Sequence, residues 1–303
     1  MSTSYRYYRI VFLVTLAVLL FVLLRYDKTK EIGFRYQPEH RVIQANHYKV
    51  EQGEYHGIDR EVEAILTYEQ SIGLLMKTVT TTKYNCSDNR RMGHPIPKDG
   101  GWNICMDVGI NPKECIVYSI GISNNWSFDD DIADYGCQVY SFDPFNGMSE
   151  HRRSERIYFY DIGLCDSNNE TAKHRKGTIK CRTLESIRKM LNHEQNDIDV
   201  VKFDIEGDEL RCLPEILSSG VLNRVKLLDF ELHVFKIERY GFSAVDVLKL
   251  VQTLEHEHGF QLWFEHENEY RKLVNYGPYA GNHSDCLELA YINTKFLTNE
   301  TSI

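Results

Sequence analysis

The sequence lacks several features that would assign the chain to a common functional class. Its eight cysteines form no C-x-x-C pair, the spacing used by many zinc and thioredoxin-type sites. Basic residues are comparatively few, since 35 Lys and Arg stand against 44 Asp and Glu, for a formal net charge of −9. This balance argues against general nucleic-acid binding, which needs a basic face for the phosphates. No internal repeat is present.

The composition is that of a globular protein. Hydrophobic residues make up 42% and charged residues 26% of the 303 residues, which excludes whole-chain disorder, collagen and coiled coil. This length fits two domains or one large α/β domain. Two short basic runs, His151-Arg152-Arg153 and Lys173-His174-Arg175-Lys176, are interpreted as solvated loops.

The N-terminus carries an apolar run from Ile10 to Leu24, interrupted only by Thr15. As a helix it would span roughly 22 Å, which suits a thin membrane if flanking arginines snorkel. No small-x-small cleavage site follows Leu24. We therefore predict an uncleaved signal anchor over residues 1–26, a stalk over 27–57 and a folded domain with an N-terminal helical cap over 58–303. A cleaved signal peptide, and so a secreted protein, is the alternative.

Cysteine usage and glycosylation motifs favour a lumenal location in the endoplasmic reticulum or Golgi. The cysteine count is even, as in disulfide-bonded proteins. Five Asn-x-Ser/Thr sequons occur, at Asn85, Asn125, Asn169, Asn282 and Asn299. Cys86 with Cys105 is the favoured disulfide, because both lie in a polar stretch rich in Gly and Pro. A cytosolic protein with free thiols is the alternative.

Strand and helix patterns alternate along the rest of the chain. An amphipathic helix is predicted at 59–79. Strands are predicted at 115–120, 137–142, 156–160, 198–203, 225–232, 260–264 and 286–292, and further helices at 128–135, 183–193, 209–217 and 243–258. Strands separated by helices indicate a mainly parallel sheet covered on both faces. The last two strands have no clear helix between them, so we expect an antiparallel hairpin at one edge.

Two of these strands end in residues that suit a nucleoside. The first ends in Ser119-Ile120-Gly121, and the second ends at Asp143, 22 residues after Gly121. Gly121 would allow a ligand to approach the backbone, and a carboxylate at this distance can accept both hydroxyls of a ribose. In a doubly wound sheet, ligands bind at the carboxyl ends of the strands.

The loop after Gly121 does not complete the dinucleotide motif G-x-G-x-x-G. Ser123 and Asn125 stand where the later glycines would be expected, although a pyrophosphate needs close approach to the backbone there. A ligand with an adenosine but no phosphates, such as S-adenosylmethionine, fits better. The alternative is an ordinary strand-to-helix turn followed by a solvent-exposed Asp.

The end of the fourth strand, Lys202-Phe-Asp204-Ile-Glu206-Gly207-Asp-Glu209, resembles the K-I-D-V-E-G-x-E pattern of FkbM-like class I methyltransferases. Thr183-Leu-Glu185 and Ser141-Phe-Asp143-Pro144 match further motifs of that group. With Asp99-Gly-Gly-Trp102, Cys105 and Asn125-Trp-Ser-Phe128-Asp129 included, the chain is similar to the membrane-anchored methyltransferase-like protein 24 family over roughly Cys86 to Asn293.

This resemblance implies a Rossmann-like, seven-stranded class I methyltransferase sheet, mostly parallel with one antiparallel edge strand. It also implies S-adenosyl-L-methionine as cofactor. By position, Gly121 would lie under the methionine part and Asp143 would bind the ribose. Asp204 and Glu206 would line the reaction side. The cofactor-binding residues implied are Ser119, Gly121, Trp126, Asp143 and Asp204.

Methyl transfer to a hydroxyl needs aligned reactants and a base. Glu231-Leu-His233 ends the fifth strand, beside the fourth. We predict Asp204 or His233 as the base, and Glu206 and Glu231 as residues that place the acceptor. An ordinary hydrogen-bonded histidine is the alternative for His233. A divalent ion on these four side chains is chemically possible, but no metal is predicted.

The sequence thus predicts a methyltransferase that uses S-adenosylmethionine to O-methylate a small molecule or glycan in the secretory pathway. The N-terminal helix would attach it to the membrane. No nucleic-acid partner is expected, and the sequence gives no oligomeric state. One alternative is an inactive binding ectodomain, suggested by the missing glycines. The other is a metal-dependent glycosyltransferase that uses Asp129-Asp-Asp131 or Asp197-Ile-Asp199, although Asp197 precedes its strand.

Overall fold

The computed structural model describes residues 66–174 and 176–297. The predicted signal anchor and stalk lie outside these residues, as does the beginning of the predicted helix at 59–79. The described helix begins after Thr67, whose side chain and that of Gln70 form a capping box. Within the described ranges, no helix combines the length and apolarity that a membrane span requires.

Five helices and fifteen strands make up the described structure. The helices are α1 (Tyr68–Val79), α2 (Ser127–Tyr135), α3 (Leu184–Met190), α4 (Glu209–Ser218) and α5 (Ala244–His256). The strands are β1 (Asn89–Met92), β2 (Trp102–Cys105), β3 (Ile116–Ile120), β4 (Gln138–Phe142), β5 (His151–Arg152), β6 (Ile157–Tyr160), β7 (Gly163–Leu164), β8 (Asn169–His174), β9 (Gly177–Arg182), β10 (Ile198–Phe203), β11 (Val225–His233), β12 (Phe260–Glu267), β13 (Leu273–Asn275), β14 (Asn282–Ser284) and β15 (Cys286–Asn293). Every strand predicted from periodicity is confirmed, with small differences at the ends.

The central sheet has eight strands in the order β12-β15-β11-β10-β3-β4-β6-β5. The five strands β11, β10, β3, β4 and β6 are parallel to one another. This arrangement confirms the class I methyltransferase-like α/β fold that the resemblance implies. A two-residue strand, β5, is the eighth strand of the sheet and lies at its edge, antiparallel to β6.

The last two predicted strands do form an antiparallel pair at one edge of the sheet, but the strand that is antiparallel to the rest is not the outermost one. Strand β15 lies between β11 and β12 and is antiparallel to both. All of β15 is buried, as a central strand requires, whereas the second half of β12 carries the partly exposed residues Glu265, His266 and Glu267. Polar side chains protect an edge strand from pairing with other chains, so β12 takes the outer position.

Alternating side chains of the sheet form two cores. On β3, Ile116, Tyr118 and Ile120 pack with buried residues of α1, α3, α4 and α5. Val117 points to the other face, where α2 and the β1–β2 hairpin cover the sheet. The sheet is therefore covered on both faces, as predicted from the alternation of strands and helices.

Part of each basic run lies in a strand rather than in a solvated loop. His151 and Arg152 form β5, and Arg153 pairs with Asp130 at 2.7 Å and lies 4.3 Å above the Trp126 ring. Residues 173 and 174 end β8, which belongs to the three-stranded sheet β7-β9-β8. Both faces of β8 are largely exposed, so its sequence lacks the apolar alternation that reveals a strand.

Six of the eight cysteines form three disulfides. The predicted pair Cys86–Cys105 is present, Cys115–Cys137 joins the chain just before β3 and β4, and Cys165–Cys181 ties the end of β7 to β9. Cys212 and Cys286 are free and buried. Three disulfides fit an extracellular or lumenal protein.

Alkylation of the denatured, non-reduced protein should label two thiols per chain, Cys212 and Cys286, because the other six cysteines are paired. Peptide mass spectrometry after labelling checks both the number and the positions. After reduction, all eight cysteines should be labelled. Label on Cys165 or Cys181 without reduction would contradict the pairing.

Candidate active site

A cleft of about 810 Å³ opens at the carboxyl ends of β3, β4 and β10, within the usual size range of small-molecule sites. Four of the predicted site residues line it: Gly121, Asp143, Asp204 and Glu206. The opposite wall is formed by the β7-β9-β8 sheet, including the disulfide Cys165–Cys181. The structure thus brings together the strand ends that the sequence singled out.

Gly121 forms the turn that follows β3 and borders the cleft. Its φ of +74° is in the left-handed region, and an added Cβ would lie 1.8 Å from the backbone oxygen of Asp204. The backbone N–H of Gly121 donates to the Phe142 carbonyl oxygen at 2.8 Å, and that of Asp204 donates to the Ile120 carbonyl oxygen at 3.1 Å. Only glycine allows this close approach between the ends of adjacent strands.

Asp143 is held by the loops on both sides of it. The backbone N–H groups of Ser123 and Phe145 each donate to one of its carboxylate oxygens at 2.7 Å. Each oxygen retains acceptor capacity toward a ligand. Ser123 adopts the left-handed region, with φ of +52°, so this turn forms although the later glycines are missing. The Phe145 ring, 37% exposed, also lines the cleft.

Ser119 and Trp126 lie outside the lining of the cleft. Ser119 donates to the buried carboxylate of Asp129 at 3.2 Å, and Ser141 donates to its other oxygen. Burial raises the pKa of Asp129 to about 6. Trp126 packs edge-on against Phe159. These contacts hold α2 against the face of the sheet that the β1–β2 hairpin also covers.

The loop after β10 bends sharply toward the cleft. Glu206 has φ of +60°, a conformation that few residues other than glycine adopt. Lys236 pairs with the Glu206 carboxylate at 3.1 Å and also donates to its backbone carbonyl. Although burial acts in the opposite direction, this ion pair lowers the pKa of Glu206. Glu206 is therefore held at the mouth of the cleft by Lys236.

Lys202 places a positive charge next to the turn. Its side chain is buried, and Nζ lies 3.5 Å from the carbonyl oxygens of Ile120 and Gly121. Burial raises the pKa of Asp204, and the charge of Lys202 partly opposes this rise. The Asp204 carboxylate is 31% exposed and lines the cleft.

His233 lies behind Asp204 and does not itself line the cleft. Its side chain is 1% exposed, and its Nδ1 is 2.8 Å from Glu209 Oε1. On the other side, Nε2 is 3.3 Å from Glu231 Oε2 and 4.0 Å from Asp204 Oδ1. The ring therefore sits among several carboxylates.

These carboxylates favour the charged imidazolium. Burial alone lowers the pKa of His233, but hydrogen bonds to Cys286 and Glu209, together with the charge of Glu231, raise it to about 11. Burial and the charge of Asp204 raise the pKa of Glu231 to about 8. A protonated histidine cannot accept a proton from a substrate, so this environment disfavours His233 as a base.

Two members of this cluster were missed by sequence reasoning. Glu209 is fully buried and belongs to the quoted motif around Asp204, so its position in that motif was an available signal. Cys286 begins β15, and no sequence signal connects it to His233. Only the pairing of β15 with β11, which puts Cys286 opposite His233, brings the two together.

The acidic pairs considered for a glycosyltransferase have other partners. Asp129 is held by Ser119 and Ser141, away from the cleft. Asp199 accepts from the Ile116 N–H at 2.8 Å and pairs with Lys226 at 2.8 Å, at the start of β10. Asp197 pairs with Arg224 at the same end. Asp197 and Asp199 therefore lie at the end of the strands opposite the cleft, and Asp129 is buried between α2 and the sheet.

Comparison with known proteins gives one family and several relatives. A family model described as a methyltransferase domain matches residues 69–292. A protein named probable methyltransferase-like protein 24 from Rattus norvegicus is 26% identical over 263 residues, covering 80% of this chain and 68% of the relative. Its namesake from Homo sapiens is 26% identical over 237 residues, covering 73% of this chain and 64% of the relative.

Solved structures also match parts of the chain. An rRNA methylase from Streptococcus thermophilus is 12% identical with a TM-score of 0.35, covering 62% of this chain and 92% of that protein. A fibrillarin pre-rRNA processing protein from Methanococcus jannaschii is 13% identical with a TM-score of 0.33, covering 70% of this chain and 86% of that protein.

Proposed function

The chain belongs to the methyltransferase-domain family, and from this premise we propose that it transfers a methyl group from S-adenosyl-L-methionine to a hydroxyl oxygen. The choice of oxygen as the acceptor atom rests on one observation: the Asp204 carboxylate lines the cleft directly beside the Gly121 turn. A carboxylate in this position can take the proton that a hydroxyl must lose.

The residues of the cleft fit S-adenosyl-L-methionine. Asp143 keeps acceptor capacity for the ribose hydroxyls, and the exposed Phe145 ring offers an aromatic face near it. The Gly121 turn leaves the backbone open to the methionine part. When bound, the cofactor supplies a methyl group on a sulfonium centre, which leaves readily.

Asp204 is the base in this proposal. As the acceptor oxygen forms its bond to the methyl carbon, the hydroxyl proton passes to the Asp204 carboxylate. His233 is buried behind Asp204 and surrounded by carboxylates, so it supplies charge behind the base and does not itself reach the acceptor. Glu206, fixed by Lys236 at the mouth of the cleft, is placed to contact the acceptor.

Basic side chains that line the cleft suit a polar acceptor. Lys173 and His174 from β8, with Arg211 and Arg239, face the cleft. Hydroxyl-rich small molecules and glycans offer many hydrogen-bond acceptors to such groups. A small molecule or glycan therefore remains the proposed substrate class.

We place this reaction in the secretory pathway. The three disulfides support an oxidising environment, and the sequon residues Asn85, Asn169 and Asn282 are exposed. Membrane attachment through residues 1–26 rests on the sequence alone. The two-thiol count given above, measured on protein from secretory cells, tests the environment.

Calorimetry should detect S-adenosylmethionine binding to the full chain, and Asp143→Ala should weaken it by about 2 to 3 kcal/mol, because two hydrogen bonds to the ribose are lost. A nucleotide sugar should give no heat. Asp134→Ala, an exposed position on α2, is the matched control and should bind like the wild type.

Three outcomes would count against this assignment. Unchanged affinity in a folded Asp143→Ala protein would remove Asp143 from the ribose site. Heat with a nucleotide sugar but not with S-adenosylmethionine would favour a glycosyltransferase. No heat with either ligand would favour a binding module on the methyltransferase fold.

A further inference from the structure

The cluster behind Asp204 contains three different metal-ligating side chains. One ligand atom each from Glu231, His233 and Cys286 lies within 4.8 Å of the other two, and all three residues are buried. The residues come from the facing ends of β11 and β15, so rigid strands position them. The quoted methyltransferase motif includes none of the three.

The histidine is oriented as in a metal site. Its Nδ1 is hydrogen-bonded at 2.8 Å to Glu209, which also accepts the backbone N–H of His233 at 3.0 Å. With the Nδ1 proton donated to Glu209, Nε2 is left to face Glu231 and Cys286. Metal-binding histidines commonly donate their other ring N–H to a carboxylate in this way.

The cysteine also has a neighbouring group that favours its thiolate form. Burial raises the pKa of the Cys286 thiol, and Arg271, which donates from Nε to Cys286 Sγ at 3.1 Å, opposes this rise and favours the thiolate. One thiolate and one carboxylate together carry the charge that neutralises a divalent cation. Burial of the site favours such neutrality, since unpaired buried charges are costly.

The distance between the His233 and Glu231 ligand atoms and the ligand types agree with zinc. Nε2 lies 3.3 Å from Glu231 Oε2, and ligands bound tetrahedrally at about 2.0 to 2.3 Å are separated by about 3.3 to 3.7 Å. Thiolate and imidazole select zinc over magnesium or calcium, which prefer oxygen ligands.

A buried carboxylate oxygen lies near the fourth coordination position that these three ligands would leave on a tetrahedral ion. Asp204 Oδ1 is buried and accepts no hydrogen bond from an N–H or hydroxyl donor in the part of the chain that the structure describes, and the Asp204 carboxyl lies beside that of Glu231. Oδ1 lies 4.0 Å from His233 Nε2, too far for a direct hydrogen bond. A water molecule bound to a metal ion in the cluster could donate to it.

We propose that Glu231, His233 and Cys286 bind one zinc ion, with a water molecule that donates to Asp204 as the fourth ligand. On binding, the Cys286 thiol releases its proton to solvent, and zinc takes the place of any proton on Nε2. The ion fixes the Oδ1 side of Asp204 and leaves the cleft side of the carboxylate free. Zinc binding does not depend on the methyl acceptor.

Metal analysis of the full chain, purified from secretory cells without chelator, should find about one zinc per chain. After removal of the metal, titration with Co²⁺ should produce a thiolate-to-cobalt charge-transfer band in the near ultraviolet. Cys286→Ser should abolish this band and lower the zinc content at least tenfold. Cys212→Ser is the matched control, because Cys212 is the other buried free cysteine, and it should retain both signals.

The wild-type measurements remain decisive even if Cys286→Ser fails to fold. Wild-type protein that contains no zinc and gives no cobalt band would overturn the proposal and leave the cluster as an ion-pair network. Zinc that persists in folded Cys286→Ser or Glu231→Gln protein would place the ion elsewhere and also overturn it. S-adenosylmethionine binding, measured in parallel, shows independently whether the proposed function holds.

Discussion

Gly121→Ala should destabilise the protein by more than about 3 kcal/mol, the upper range for strained backbone positions, and should eliminate cofactor binding. The new Cβ would lie 1.8 Å from the Asp204 backbone oxygen and 2.8 Å from its carbonyl carbon. Backbone cannot rotate away as a side chain can, so the end of β3 or the end of β10 must move. Either shift separates Gly121 from Asp204 and opens the floor of the cleft.

Denaturant unfolding of wild type and variant measures this effect. Gly147→Ala is the control, because Gly147 has a nearly identical φ of +75° but nothing within 4 Å of its added Cβ. The control should lose only about 1 kcal/mol, the cost of the left-handed backbone alone. If both variants lost the same small amount, the close approach of the two strand ends would be wrong.

Asp204→Asn should lower methyl transfer by about 10²- to 10⁴-fold, the usual contribution of a positioned general base. Asparagine has almost the same shape as aspartate, so cofactor affinity should change less than tenfold. The variant thus separates proton removal from binding. Transfer of labelled methyl from S-adenosylmethionine to glycans and small molecules of a secretory extract provides the assay.

Asp197→Asn serves as the matched control for this prediction. Asp197 precedes the same strand, at the end opposite the cleft, and pairs with Arg224 at the surface. Its substitution should leave both transfer and binding unchanged. Wild-type transfer rates in Asp204→Asn would show that another group removes the proton.

The strand ends that form the cleft were predictable because their signals are local. An apolar run that stops at Gly121, Asp143 or Asp204 identifies both the strand and the residue that leaves the sheet at its carboxyl end. The parallel arrangement then places these residues at the same edge. Their placement around one cleft follows from this topology.

The wall of the cleft was not predictable in the same way. Strands β8 and β9 are mostly exposed on both faces, so burial gave them no periodic pattern. Their pairing depends on contacts with β7 and on the disulfide Cys165–Cys181. Lys173 and His174 were consequently interpreted as loop residues, although they face the cleft.

By itself, the sequence determined the order of strands and helices, the favoured disulfide Cys86–Cys105 and the residues at the strand ends, because short-range patterns encode each of them. Only the tertiary structure decided which carboxylates surround His233 and that Cys286 lies opposite it. It also decided that β15 lies inside the sheet rather than at its edge. These features depend on contacts between residues far apart in the chain, and such contacts form only when the sheet packs against its covering layers.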